Sequence, residues 1–170
     1  MRPTSKPLGR AEETQDLEDL RVLGGVEVLA EDLKDLERPK APAHPIGIDE
    51  LLERAREKLD RVEALEAYEA ARGGDALLVD IRYAALRDRD GLIPGALVVE
   101  RNELEWRLDP QGSHRLPEAA HHDLRVVVIC NEGYASSLAA ASLRQLGLHR
   151  ATDLVGGFQA WRDAGLPLTL

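Results

Sequence analysis

The run Arg125-Val-Val-Val-Ile-Cys130 is continuously apolar and β-branched, which predicts a strand buried on both faces, as in a parallel sheet. Residues 131–136, Asn-Glu-Gly-Tyr-Ala-Ser, then supply turn formers and a helix cap. The Ala- and Leu-rich stretch beyond predicts a helix that closes near Gly147. Upstream, Asp49 is placed to cap a helix with Ile48, Leu51, Leu52, Ala55 and Leu59 on one face; Glu and Arg cover the other as a solvated face. A second helical spacing through Val62, Leu65 and Tyr68 stops at Gly73-Gly74. The segment Asp75-Ala-Leu-Leu-Val-Asp80-Ile-Arg82 reads as a short strand ending in a carboxylate and a guanidinium, and a charged loop holding Arg87 and Arg89 follows. A Pro-Gly turn in Gly91-Leu-Ile-Pro-Gly-Ala96 feeds another strand, residues 102–108 predict a short helix and residues 109–113 a loop. A brief strand is expected at 151–155; Gly156-Gly157 then leads into a helix through Ala164, ended by Gly165 and Pro167. Strands alternating with helices predict an α/β fold with a mostly parallel sheet.

Composition narrows the picture. At 170 residues the chain fits one domain with extra length at one end, and with 44% apolar but only 4% aromatic residues its core must be aliphatic. Residues 1–45, rich in charge and Pro, read as a largely disordered extension, and residues 46–170 as the folded domain with an added N-terminal helix. A formal charge of −9 with no basic run argues against a nucleic-acid surface. No apolar stretch approaches the roughly 18 residues of a membrane span, and Met1-Arg-Pro-Thr-Ser-Lys-Pro lacks the apolar core of a signal peptide. The expectation is a soluble cytoplasmic protein without membrane partners. Cys130 is the only cysteine, so neither an internal disulfide nor a Cys-x-x-Cys pair is available. His121-His122 lacks the Cys, His or carboxylate pairing that completes a metal site; neither metal nor cofactor is expected.

Cys130 is therefore the candidate chemical residue. A cysteine after Val-Val-Val-Ile is compatible with simple packing. The loop that follows favours reactivity instead, because it brings backbone N–H groups and a helix N-terminus to the sulfur, surroundings that stabilise a thiolate.

Four segments, in order, carry a specific resemblance: Leu77-Leu-Val-Asp80-Ile-Arg82, Gly91-Leu-Ile-Pro-Gly-Ala96, Val128-Ile-Cys130-Asn-Glu-Gly133-Tyr-Ala-Ser136-Ser, and Leu154-Val-Gly-Gly-Phe-Gln-Ala-Trp161. Over about residues 60–168 the chain resembles a single-domain rhodanese, a thiosulfate or persulfide sulfurtransferase module. The resemblance implies a five-stranded, mainly parallel sheet with helices on both faces. It also implies that Cys130 attacks the outer sulfur of a donor, carries it as a persulfide and yields it to a thiol or cyanide acceptor. Donor and acceptor, small or protein-bound, are the partners implied. Amides of Asn131, Glu132, Gly133, Tyr134, Ala135 and Ser136 would hold the negative sulfur. Asp80 and Arg82 match a supporting Asp-x-Arg, expected mainly to pair with each other.

Two features qualify this expectation. Related phosphatases use a longer loop closed by an arginine, whereas Ser136 stands six places after Cys130 and the next arginine is Arg144; phosphate has no bidentate clamp there. Glu132 stands where many family members carry Lys or Arg, and a carboxylate near the sulfur repels a dianionic donor. A neutral or protein-bound persulfide fits better. Phe158 and Trp161 are expected in the core, and Tyr134 at the pocket mouth or against a partner. The alternative function is a rhodanese-fold binding module without turnover, or a persulfide or redox sensor.

Overall fold

The Val-Val-Val-Ile run is the fully buried central strand of a four-stranded parallel sheet in the computed structural model, which describes residues 44–169. In chain order the elements are α1 (Ile48–Arg56), α2 (Ala64–Arg72), β1 (Leu77–Asp80), α3 (Ala84–Asp90), β2 (Leu97–Val98), a 3-10 turn (Arg101–Glu103), α4 (Leu104–Leu108), β3 (Val126–Ile129), α5 (Ala135–Gln145), β4 (Thr152–Asp153) and α6 (Gly157–Asp163). The strands lie in the order β2-β1-β3-β4, every neighbouring pair parallel, with Val79 opposite Val128 and Val128 opposite Asp153. The expected extension over residues 1–45 falls, but for its last two residues, outside the described residues.

The sheet has four strands, not the five expected. The fifth place is reduced to one parallel bridge, Val62 to Leu154, where the Val62 N–H donates to the Asp153 carbonyl and the Val155 N–H to the Val62 carbonyl. Helix α2 begins two residues later, so the chain turns away before a second pair forms. Thr169 and Leu92 form a single antiparallel bridge.

Side-chain alternation along the strands builds two cores. Val79, Val126, Val128 and Cys130 face one side, packed with Leu104 and Leu108 of α4 and Ala139, Ala140 and Leu143 of α5. Leu78, Val127 and Ile129 face the other, against Ala64 and Ala67 of α2 and Phe158 and Trp161 of α6. Helices therefore cover both faces, as expected. Phe158 and Trp161 are buried; Trp161 meets Tyr68 edge-to-face at 5.7 Å and donates to the Pro167 carbonyl.

Several local expectations are corrected. Gly47, not Asp49, occupies the N-cap of α1, and Asp49 sits in the first turn, where its charge favours the helix N-terminus. Only Leu52 of α1 and Leu59 after it are buried; Ile48 and Leu51 are exposed, because α1 packs on α5 rather than into the centre. Leu65 is exposed as well, since α2 turns its small Ala64 and Ala67 toward the sheet. The segment holding Arg87 and Arg89 is helix α3, not a loop. Arg87 is buried, pairing with Glu100 and donating to the Arg82 carbonyl, so a charged run that reads as solvated is half-committed to the core.

Candidate active site

Parallel strands present their carboxyl ends together, and Cys130 lies one residue past the end of β3, leading into the turn that starts α5. Cys130 is 8% exposed and lines a cavity of about 350 Å³. With it, Ile81, Arg82, Tyr83, Leu86 and Arg101 line that cavity, as do Asn131, Glu132, Tyr134 and Ala135 of the cysteine loop. Among the loop amides, that of Gly133 donates to Sγ at 3.1 Å. The thiol in turn donates to the Ser136 hydroxyl at 3.2 Å, and Ser136 donates to Asp153 at 3.0 Å. Ser136 thus meets the sulfur through its side chain, whereas an amide contact was the expectation.

What holds the loop comes from behind. Phe158 N–H donates to the Cys130 carbonyl at 2.8 Å and Gln159 N–H to the Asn131 carbonyl at 3.1 Å, so the N-terminus of α6 grips the loop. The Gln159 side chain adds a bond to the Asn131 side chain. The Gly133 carbonyl accepts from Arg56 at 2.8 Å and from Arg61 at 3.2 Å. In a trans peptide the N–H points opposite to the carbonyl. Tying back the carbonyls of Cys130, Asn131 and Gly133 therefore turns the N–H groups of Asn131, Glu132 and Tyr134 away from these anchors. The approach of the backbones requires glycine: Gly133 has φ +78, and a Cβ there would stand 2.8 Å from the Gly156 nitrogen.

Asp153 and its partner Arg61 were missed in the sequence. The carboxylate is fully buried in β4 and is satisfied by Arg61 at 2.8 and 3.1 Å, Ser137 at 2.7 Å and Ser136. The signal was present: a charge inside a buried strand demands a partner. Arg61, 92 residues away in sequence, offered no local spacing by which to find it.

The two supporting residues pair as expected. Arg82 is bidentate to buried Asp80 at 2.7–3.0 Å, donates to the Gly91 carbonyl at 2.8 Å and stacks on the Phe158 ring at 3.5 Å. The pair fastens the loop before β2 to the end of β1, and Arg82 also forms part of the cavity wall. Arg101 at the mouth is held by both oxygens of Glu105. Burial pushes the Glu105 carboxyl up, but hydrogen bonds from Ser142 and Arg101 outweigh it and keep it below its ordinary value, so this pair stays ionised and self-neutralised. Glu132 and Tyr134 are exposed at the rim. His121 and His122 belong to no cluster of three metal-ligating side chains among the described residues. No helix among those residues is long and apolar enough to cross a membrane.

Known proteins share this arrangement. The family profile described as Rhodanese-like domain matches residues 63–164. A sulfurtransferase of Allochromatium vinosum is 39% identical over 94 residues, covering 55% of this chain and 78% of its own. Among solved structures, a Rhodopseudomonas palustris protein of unknown function, described as a possible tyrosine phosphatase, matches with a TM-score of 0.66 at 34% identity, over 78% of this chain and 99% of that one. A rhodanese-related protein from Thermoplasma volcanium matches at 0.52 and 26% identity, over 65% and 97%. The bacterial sulfurtransferase supports that class of activity in general, and the profile spans more than half of the sequence: the chain belongs to the rhodanese-like domain family.

Proposed function

We propose that the protein is a sulfurtransferase in which Cys130 is both nucleophile and sulfur carrier. The observation that carries this reading is the Cys130 loop. Its carbonyls are bound from behind, and the Gly133 N–H donates to Sγ at 3.1 Å, so the loop offers donors to a negative sulfur. Cys130 thiolate attacks the outer sulfur of the donor; the donor's S–S bond breaks and its electron pair leaves with sulfite or a thiolate. The terminal persulfide sulfur then sits against the loop amides, where fixed donors stabilise its charge. An acceptor thiolate, or cyanide, attacks that sulfur and returns the bonding pair to Cys130. No external oxidant or reductant is consumed.

The donor best suited to the mouth is a persulfide on an organic thiol. Arg82 is neutralised by Asp80 and Arg101 by Glu105, and Glu132 adds a negative charge. Tyr83, Leu86 and Tyr134 offer apolar surface to an organic carrier. A phosphatase reading lacks its clamp, because both guanidinium groups lining the cavity are already paired with carboxylates.

Thiocyanate formation from cyanide tests the reading, with thiosulfate and a neutral alkyl persulfide as alternative donors. Wild type is expected to turn over the persulfide with the higher kcat/KM. Glu132→Lys is expected to lower the thiosulfate KM at low ionic strength by about tenfold, with the persulfide KM unmoved. A thiosulfate KM that does not change rules out the electrostatic argument, and no turnover with either donor rules out the enzyme.

A further inference from the structure

Helix α1 and Arg61 both precede the segment matched by the family profile, yet they reach the cysteine loop. Arg56, the last residue of α1, donates to the Gly133 carbonyl and to Ser137, and its guanidinium lies 5.6 Å from the centre of the Tyr134 ring. Arg61 spans the same carbonyl and both oxygens of Asp153. Ser137 accepts from Arg56 and donates to Asp153, so the four side chains form one connected group.

The charge of that group is the key quantity. The group holds two guanidiniums and one carboxylate: Arg61 is paired with Asp153, and among the described residues Arg56 forms no ion pair. A net positive charge therefore stands directly behind a loop whose own side chains supply only Glu132. Through the Gly133 residue the path is short: its carbonyl is 2.8 Å from Arg56, and its N–H donor is 3.1 Å from Sγ. Cation binding at that carbonyl polarises the Gly133–Tyr134 peptide and makes the Tyr134 N–H a better donor, while the Gly133 N–H that meets Sγ, part of the preceding peptide, is fixed through the same residue.

We propose that Arg56 and Arg61 are positioning residues for the chemistry of Cys130: from behind the loop they fix the Gly133–Tyr134 peptide and supply the positive charge that favours thiolate and persulfide. The added helix is thereby part of the catalytic apparatus, not an ornament on the domain. Leu52 and Leu59, before and after Arg56 in sequence, are buried and anchor this stretch of chain on the domain. The part concerning the persulfide rests on the sulfurtransferase reading; the part concerning the thiolate does not.

The test uses the full chain with Arg56→Met, which keeps length and loses charge, and Arg56→Lys, which keeps charge and loses the fork. Arg56 is chosen because removing Arg61 strands the buried Asp153 carboxylate. Iodoacetamide alkylation of Cys130 is followed across a pH series, together with thermal stability and the kcat and KM for sulfur transfer. For Arg56→Met, alkylation near pH 7 is expected to slow by about tenfold, the gap narrowing as pH rises. The kcat should fall by a similar factor with donor KM nearly unchanged, less than the roughly 100-fold loss typical of removing a direct oxyanion donor. Arg56→Lys should recover part of both. A curve superimposable on wild type overturns the proposal, and so does an equal slowing at every pH accompanied by lost thermal stability. If the alkylation difference appears in a protein that transfers sulfur from no donor, the sulfurtransferase reading fails while the positioning of the thiolate stands.

Discussion

Cys130→Ser is expected to abolish sulfur transfer while the protein remains folded. The substitution exchanges one atom at a site only 8% exposed, and the new hydroxyl keeps both polar neighbours, accepting from the Gly133 N–H and donating to Ser136. Stability should move by no more than about 1 kcal/mol. Chemistry is another matter. A serine hydroxyl in this loop has no adjacent base to take its proton other than through Ser136, whose acceptor Asp153 is already bound by Arg61 and Ser137. Nor can oxygen carry a sulfane sulfur and release it to a thiol. Turnover should fall by roughly 10⁴-fold or more, as for other enzymes stripped of their nucleophile. Thiocyanate production alongside a thermal melt measures both quantities. Activity retained in the serine variant would refute Cys130 as the carrier.

The second large effect is placed at a residue that touches no substrate. Gly157 has φ +59, and a Cβ built on it would lie 2.4 Å from the Cys130 carbonyl oxygen and 2.7 Å from the Gly133 nitrogen. Each of these neighbours is backbone, so no flexible side-chain tip can move aside. Gly157→Ala must push α6 off the cysteine loop, which loosens the Phe158 and Gln159 amide bonds to the Cys130 and Asn131 carbonyls. The same displacement disturbs the Gly133 N–H that faces Sγ. Left-handed strain and overpacking together should cost about 2–4 kcal/mol. Because the loop geometry is lost as well, kcat/KM should fall by roughly 100-fold even in the folded fraction. Gly165→Ala is the control: φ there is +66, but nothing lies within 4 Å of its Cβ. It should lose only the backbone contribution, about 1 kcal/mol, and keep its activity. Denaturant unfolding and initial rates on the two variants separate sterics from backbone strain. Equal behaviour of the two would remove the close approach from the explanation.

The parts of this molecule that read clearly from the sequence are those whose cause is local. Four consecutive β-branched residues before Cys130 can only be satisfied in a doubly covered strand, and Gly156-Gly157 before Phe158 marks a tight strand-to-helix joint. The Asp80–Arg82 pair is legible because its partners are two residues apart. What was hidden depends on distance along the chain. Arg56 and Arg61 look like members of a solvated charged face, and only the fold brings them to Gly133, more than 70 residues on. Asp153 is a buried carboxylate whose principal partner is 92 residues upstream. Helix α3 was masked by its charge: Asp88 and Arg89 of Arg87-Asp-Arg-Asp90 lie toward solvent, and nothing nearby announces that Arg87 turns inward to Glu100. The fifth strand failed for a different reason. Val62 has the β-branched side chain and the pairing partner, but α2 starts too soon after it for the ladder to extend.

The most direct measurement is the mass of the peptide carrying Cys130 before and after exposure to a persulfide donor, and again after a small thiol is added. The expected record is the gain of one sulfur atom on Cys130, its complete removal by the thiol, and repeated loading over many cycles. A loop that never gains sulfur would contradict the central claim. So would one that gains it and holds it without turnover, since that is the behaviour of a sensor and not of a carrier.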